Sequence, residues 1–234
     1  MKKTLIMISL CALFFGCTKD WGNPTTRNYP IDGAFTELDV SNAFHVTVSD
    51  QVTDVVVTVD DMAHEKVVVK VVNGKLQIGF KPNTWYNGTK AVAVIPATEN
   101  LRDIDLSGAS SFTGDLNGHD VDIDLSGASY FQGSVEADKI DLDLSGASKA
   151  VMNGFCTEKM DIDISGASTL NASLLETPSV FGDLSGASTA DVTICSHMNV
   201  SLSGASTLIY GLVSPDCNPV INCSCTGAST YRPR

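Results

Sequence analysis

One small motif, repeated seven times, supplies the serines in this sequence that could serve as nucleophiles. Ser-Gly-Ala-Ser begins at Ser107, Ser126, Ser145, Ser165, Ser185 and Ser203, and Thr-Gly-Ala-Ser begins at Thr226. A serine after Gly-x opens a nucleophile elbow, but the glycine that completes Gly-x-Ser-x-Gly is missing from every copy. A reaction needs one nucleophile per site, so six identical copies and a near-identical seventh argue for a structural role.

The carboxylates come next. Asp103 and Asp105, Asp122 and Asp124, Asp141 and Asp143, Asp161 and Asp163 precede successive motifs, and Asp183 follows the same pattern alone. Asp-x-Asp spacing sets both carboxylates on one face of a strand. If the copies stack, Asp105, Asp124, Asp143, Asp163 and Asp183 form a row that gathers cations weakly. A flat row offers too few oxygens per ion for a tight calcium site. Acidic clusters also serve polysaccharide lyases and hydrolases, but lyase chemistry needs Lys or Arg beside the acids and one singular cluster, which this repetition does not suggest.

Cys156, Cys195, Cys217, Cys223 and Cys225 lie in the second half. Cys195 stands eight residues before Ser203 and Cys217 nine before Thr226, which suits a disulfide between adjacent coils; buried free thiols are the equal alternative. His45, His64, His119 and His197 show no metal-ligand spacing with the cysteines, and His64-Glu65 reads as a surface turn. Trp21, Trp85, Tyr86, Tyr130 and Phe131 read as exposed aromatics. Among them Trp85-Tyr86, between Asn83 and Asn87, is either a partner-binding loop or a hydrophobic cap over one end of the fold. No catalytic residue, metal-ligand set or cofactor site is expected.

The elements that position these groups follow from periodicity. Ile104 and Leu106, Ile123 and Leu125, Leu142 and Leu144, Ile162 and Ile164 alternate with the aspartates, the signature of half-buried strands. A unit of about 19 to 20 residues is too short for a strand plus a helix, and it fits one coil of a parallel β-helix. Gly108, Gly127, Gly146, Gly166, Gly186, Gly204 and Gly227 then turn the corners. The alanines after them would fit where larger side chains collide, and the serines would form hydroxyl ladders.

Residues 31–100 read as irregularly spaced strands over 35–40, 44–48, 55–59, 67–72, 76–80 and 91–95. The Asn73-Gly74 pair signals a hairpin. This half is either an antiparallel unit or an imperfect start of the solenoid. Residues 101–234 form the repeat solenoid, with Pro219, Arg232, Pro233 and Arg234 suited to a C-terminal cap.

Residues 1–16 read as a signal peptide: Lys2 and Lys3, an apolar run from Leu5 to Phe15, then Gly16 before Cys17. Leu13 and Gly16 resemble a lipobox, which implies acylation of Cys17 and a tether over 17–30. Phe14 and Phe15 stand where lipoboxes carry smaller residues, and plain secretion is the alternative. Either route exports the protein, and Thr18 in place of an aspartate favours the outer membrane.

The net charge is −12 over 234 residues, and loss of Lys2 and Lys3 would make it more negative. Nucleic acid is an improbable partner for such a surface, since its binding rests on Lys and Arg.

Gly33-Ala34-Phe35-Thr36 with Leu38 and Val40, then Val46 and Val48, Asn73-Gly74 before Leu76 and Ile78, Ile95-Pro96, and the repeated Leu-Ser-Gly-Ala-Ser resemble the putative auto-transporter adhesin, head GIN domain family. The resemblance covers roughly residues 27 to 230. It implies an all-β right-handed parallel β-helix and an exported, commonly lipid-anchored, protein of Gram-negative anaerobes, with no catalytic residues to carry over. The function expected is a non-enzymatic envelope lipoprotein held to the membrane by its lipid, at the cell surface or facing the periplasm, which binds an unknown glycan or protein. A polysaccharide-active β-helix enzyme is the alternative.

Overall fold

The computed structural model describes residues 21–234; the signal peptide expected over residues 1–16, and Cys17, lie outside the described residues. Seventeen strands follow in chain order: β1 Pro24–Tyr29, β2 Glu37–Val40, β3 His45–Ser49, β4 Val55–Asp60, β5 Val67–Val72, β6 Lys75–Phe80, β7 Val92–Pro96, β8 Asp103–Leu106, β9 Ser111–Thr113, β10 Leu116–Leu125, β11 Tyr130–Leu144, β12 Lys149–Ile164, β13 Thr169–Leu184, β14 Thr189–Leu202, β15 Thr207–Leu212, β16 Val220–Cys225 and β17 Thr230–Pro233. The short 3-10 helix Asp61–Lys66 joins β4 to β5.

The strands stack as a parallel β-solenoid of about seven turns. One ladder runs β6, β2, β8, β10, β11, β12, β13, β14, β16. A second runs β7, β3, β9, then the first parts of β11 to β14, then β15 and β17. Alternation decides what lies inside: Leu38, Ile104, Ile123, Leu142 and Ile162 form one buried row, and Val40, Leu106, Leu125, Leu144, Ile164 and Leu184 the next. Each such side chain contributes about 1.5–3 kcal/mol on burial, and only stacking provides it.

The first half therefore continues the solenoid and is not a separate unit. Its order in space departs from its order in sequence, because β6 lies below β2. Antiparallel strands close this end: β5 folds onto β6 through the Asn73-Gly74 turn, while β4 pairs with β7 and β1 with β4. Asn73 and Gly74 both have positive φ, 53° and 82°, as a two-residue hairpin requires. The tether expected over 17–30 differs in its described part, since β1 is docked in the sheet and Trp21 is only 4 % exposed. The rings of Phe44, Phe80, Tyr86 and Trp21 follow one another at centroid spacings of 5.0, 4.8 and 5.3 Å and fill the end of the core.

The corners rest on backbone. Gly146 has φ +75°, and a Cβ there would lie 2.5 Å from the Gly127 carbonyl oxygen, so both conformation and space require glycine. Ala147 N–H donates to that same oxygen at 2.7 Å, and the other corners repeat the bond. Two expectations are corrected here. The motif alanines are exposed, because the close approach belongs to the glycine before them. The serines build no hydroxyl ladder: the buried second serine mostly closes its own corner, as Ser129 Oγ does by donating to the Ser126 carbonyl at 2.7 Å. The first serine reaches only 3.4–3.5 Å towards the leucine carbonyl of the preceding coil.

At the far end the last coil does not cap itself. Cys223 stacks on Val200 and Cys225 on Leu202, but among the described residues no further coil covers them: Cys223 is half-buried, and Cys225 and Tyr231 are exposed. Pro219 and Arg232 make no cover. Arg234 helps to tie the end down, donating to Asp191 Oδ1 at 2.8 Å and to the Val192 carbonyl at 3.2 Å.

Candidate functional site

The outward positions of the first ladder set the aspartates in register. Asp103, Asp122, Asp141 and Asp161 form one row; Asp105, Asp124, Asp143, Asp163 and Asp183 form the other. Both rows extend below the repeats, where Glu37 pairs with Asp103 and Asp39 with Asp105. Neither extension carries the repeated motif, so the period alone did not reveal it. Only Val40-Ser41-Asn42-Ala43-Phe44 hinted at a degenerate corner. Ser107 N–H donates to the Val40 carbonyl at 2.9 Å, as Ser126 N–H does to Leu106 one coil on, which makes this segment the equivalent of Leu-Ser-Gly-Ala-Ser. Asn42 takes the glycine's place with φ 63°, which asparagine tolerates better than most residues.

Like charges one strand spacing apart raise each other's pKa, and partial burial adds to it. Burial first, then Asp122, Asp143 and Asp105, pushes Asp124 up to about 6. Asp39, Asp103, Asp122 and Asp143 shift in the same direction, each with burial as the largest cause; neighbouring carboxylates come next for Asp39, Asp122 and Asp143, while at Asp103 Lys75 opposes the rise ahead of Glu37 and Asp105.

Lysines flank the rows, contrary to the expectation that no base stands beside the acids. Lys75, from the strand below β2, reaches Glu37 Oε2 at 3.5 Å and Asp103 Oδ1 at 3.7 Å. Lys159 pairs with Asp161, and Lys139 lies 3.7 Å from Asp120. Lys139 and Lys159 stand in register and share an open groove of about 270 Å³ with Asp122, Asp141 and Asp161. The groove is a repeated pattern of charge along the stack, with no single acid held apart from its neighbours.

The other candidates are dispersed. Cys195 and Cys217 are joined by a disulfide with Cα atoms 4.8 Å apart. Cys156 is buried, and its thiol lies 2.9 Å from the Lys159 carbonyl. His64 is not on a surface turn: it is 5 % exposed, with Nδ1 2.8 Å from the Tyr29 hydroxyl and Nε2 3.0 Å from the Thr25 carbonyl. Burial lowers its pKa. Phe131 is fully buried on Phe112, so it and Trp21 leave the set of exposed aromatics. Tyr86 is half-buried, and its hydroxyl donates to Asp60 Oδ2 at 3.1 Å. Trp85 stands 86 % exposed at the head of the same loop. Among the described residues no group of three or more His, Cys, Asp or Glu is arranged to hold a metal ion.

A stacked parallel sheet with repeated outward carboxylates and glycine corners defines a β-solenoid scaffold. The chain belongs to the putative auto-transporter adhesin, head GIN domain family, whose model matches residues 34–211. Solved structures share the fold. A putative adhesin from Bacteroides fragilis superimposes with a TM-score of 0.77 at 18% identity, covering 91% of this chain and 97% of that one. A putative lipid binding protein from Parabacteroides distasonis gives 0.65 at 17% identity, over 91% and 97%. A putative adhesin from Parabacteroides merdae gives 0.60 at 16%, over 91% and 98%. Identities this low bear on the fold alone. No protein of curated function matches by sequence.

Proposed function

We propose that the protein is a non-enzymatic binding protein of the cell envelope, an adhesin in the broad sense, anchored through an acylated Cys17 and presenting its acidic ladder to a glycan or protein partner. The observation that carries this reading is the register of the two carboxylate rows, which gives a long face of one repeated character and no singular cluster. Family membership supports an exported or cell-surface location. The rows also draw cations: a file of carboxylates one strand spacing apart lowers its repulsion by holding calcium loosely in solvent.

A polysaccharide-active enzyme is the second reading, favoured by Lys139 and Lys159 beside Asp122, Asp141 and Asp161 in one groove. The mature protein on a glycan array, run beside an eliminase and hydrolase assay on acidic polysaccharides, separates the two. Retention without turnover is expected; turnover would sink the binding reading. Mass spectrometry of the mature N-terminus tests the anchor, and an unmodified or uncleaved start removes it.

A further inference from the structure

The N-terminal end of the solenoid carries a surface that the acidic ladder does not explain. Trp85, 86 % exposed, faces a cleft of about 480 Å³ that it shares with Trp21, Lys66, Lys81, Pro82, Asn83 and Thr84, with no carboxylate in its wall. Met62, on the 3-10 helix beside it, is 54 % exposed, and its N–H donates to the Trp21 carbonyl at 3.2 Å. A tryptophan and a methionine are thus left in water beside Lys66 and Lys81. The loop is held in place from beneath: Trp21 Nε1 donates to Asn87 Oδ1 at 2.9 Å, and Tyr86 is held by Asp60. Trp85 is therefore displayed from a fixed base.

Chain length fixes where this end must be. Three residues lie between Cys17 and Trp21, and the four extended Cα steps that join them reach at most about 14 Å. Resting on the reading of Cys17 as acylated, we propose that the Trp85–Lys66–Lys81 surface is a foot that seats on the anionic phospholipid headgroups of the membrane holding the anchor. Indole rings favour the headgroup layer, and lysines beside them meet lipid phosphates. The foot would hold the solenoid at a set angle where a lipid alone would leave it to swing.

The test uses the mature protein in vesicles of phosphatidylethanolamine and phosphatidylglycerol with brominated acyl chains. The chain has two tryptophans, so subtracting the emission of Trp85→Phe isolates Trp85. Its emission is expected to shift to the blue and lose at least a third of its intensity relative to unbrominated vesicles, and Lys66→Glu with Lys81→Glu should reverse most of that. Flotation with the vesicles but no quenching of Trp85 overturns the foot and keeps the anchor. If the mature chain carries no lipid, the anchor fails, and the unacylated chain is added to the same vesicles. There, salt-sensitive quenching supports the foot, and its absence, or protection of Trp85 by a glycan instead, overturns it.

Discussion

Asp143 sits directly above Asp124 in the parallel ladder, and its charge, after burial and Asp122, helps to raise the Asp124 pKa to about 6. Stability therefore depends on pH through this row, since the charge on Asp124 is disfavoured in the fold.

The pH prediction follows from the direction of the shifts. Asp124 titrates at about 6 in the fold, above an unfolded aspartate, so its contribution is fully present below about pH 4 and lost as the pH rises through 6. His45 and His64 oppose this: burial lowers both, and their contribution is lost as the pH falls through the histidine range. Asp124→Asn separates the two. At pH 8 it should raise the melting temperature by about 2–4 °C, an effect that fades towards pH 5. Equal melting of the two proteins at pH 8 would mean the row is not under charge strain.

Millimolar calcium should raise the melting temperature at pH 8 more than at pH 5, since protons and cations relieve the same repulsion. Calorimetry with calcium and with chelator reads this directly, and indifference to both would dismiss the cation-collecting face.

Gly146→Val should destabilise by roughly 3 kcal/mol or more, because it adds side-chain atoms 2.5 Å from the Gly127 oxygen at a φ of +75°. Lys149→Ala removes only a contact with the exposed face of Tyr130, 5.9 Å away, and should cost under about 1 kcal/mol. Urea unfolding of both variants checks the pair; similar costs would contradict the stacking of the corners.

Cys195→Ser with Cys217→Ser opens a closure spanning 22 residues and should cost about 3 kcal/mol. Hydrogen exchange should then rise first over residues 207–225. Unchanged exchange there would mean the last coils stand without the bridge.

The repeats were legible because each copy restates the same local problem: Leu144, Gly146 and Ser148 tell the same story as Leu125, Gly127 and Ser129. The buried role of Phe131 was legible too, since it falls two residues after Ser129, where Ala150 and Leu170 fall after their own corners. Reading it as exposed gave residue type more weight than phase. Lys75 was not legible. It reaches Glu37 and Asp103 because β6 stacks below β2, an arrangement with no periodic trace in the sequence. Asn42 lay between these cases, a corner whose glycine had been replaced.

Each glycine corner touches only its counterpart one coil away, and that locality makes height a matter of counting. A whole coil inserted between Ser126 and Ser185 would re-form every ladder one step further along and leave both ends of the molecule unaltered. One residue inserted within β11 would instead turn its aspartates inward and its leucines out. The distance from the antiparallel N-terminal strands to the last coil is thus adjustable in whole coils and in nothing smaller.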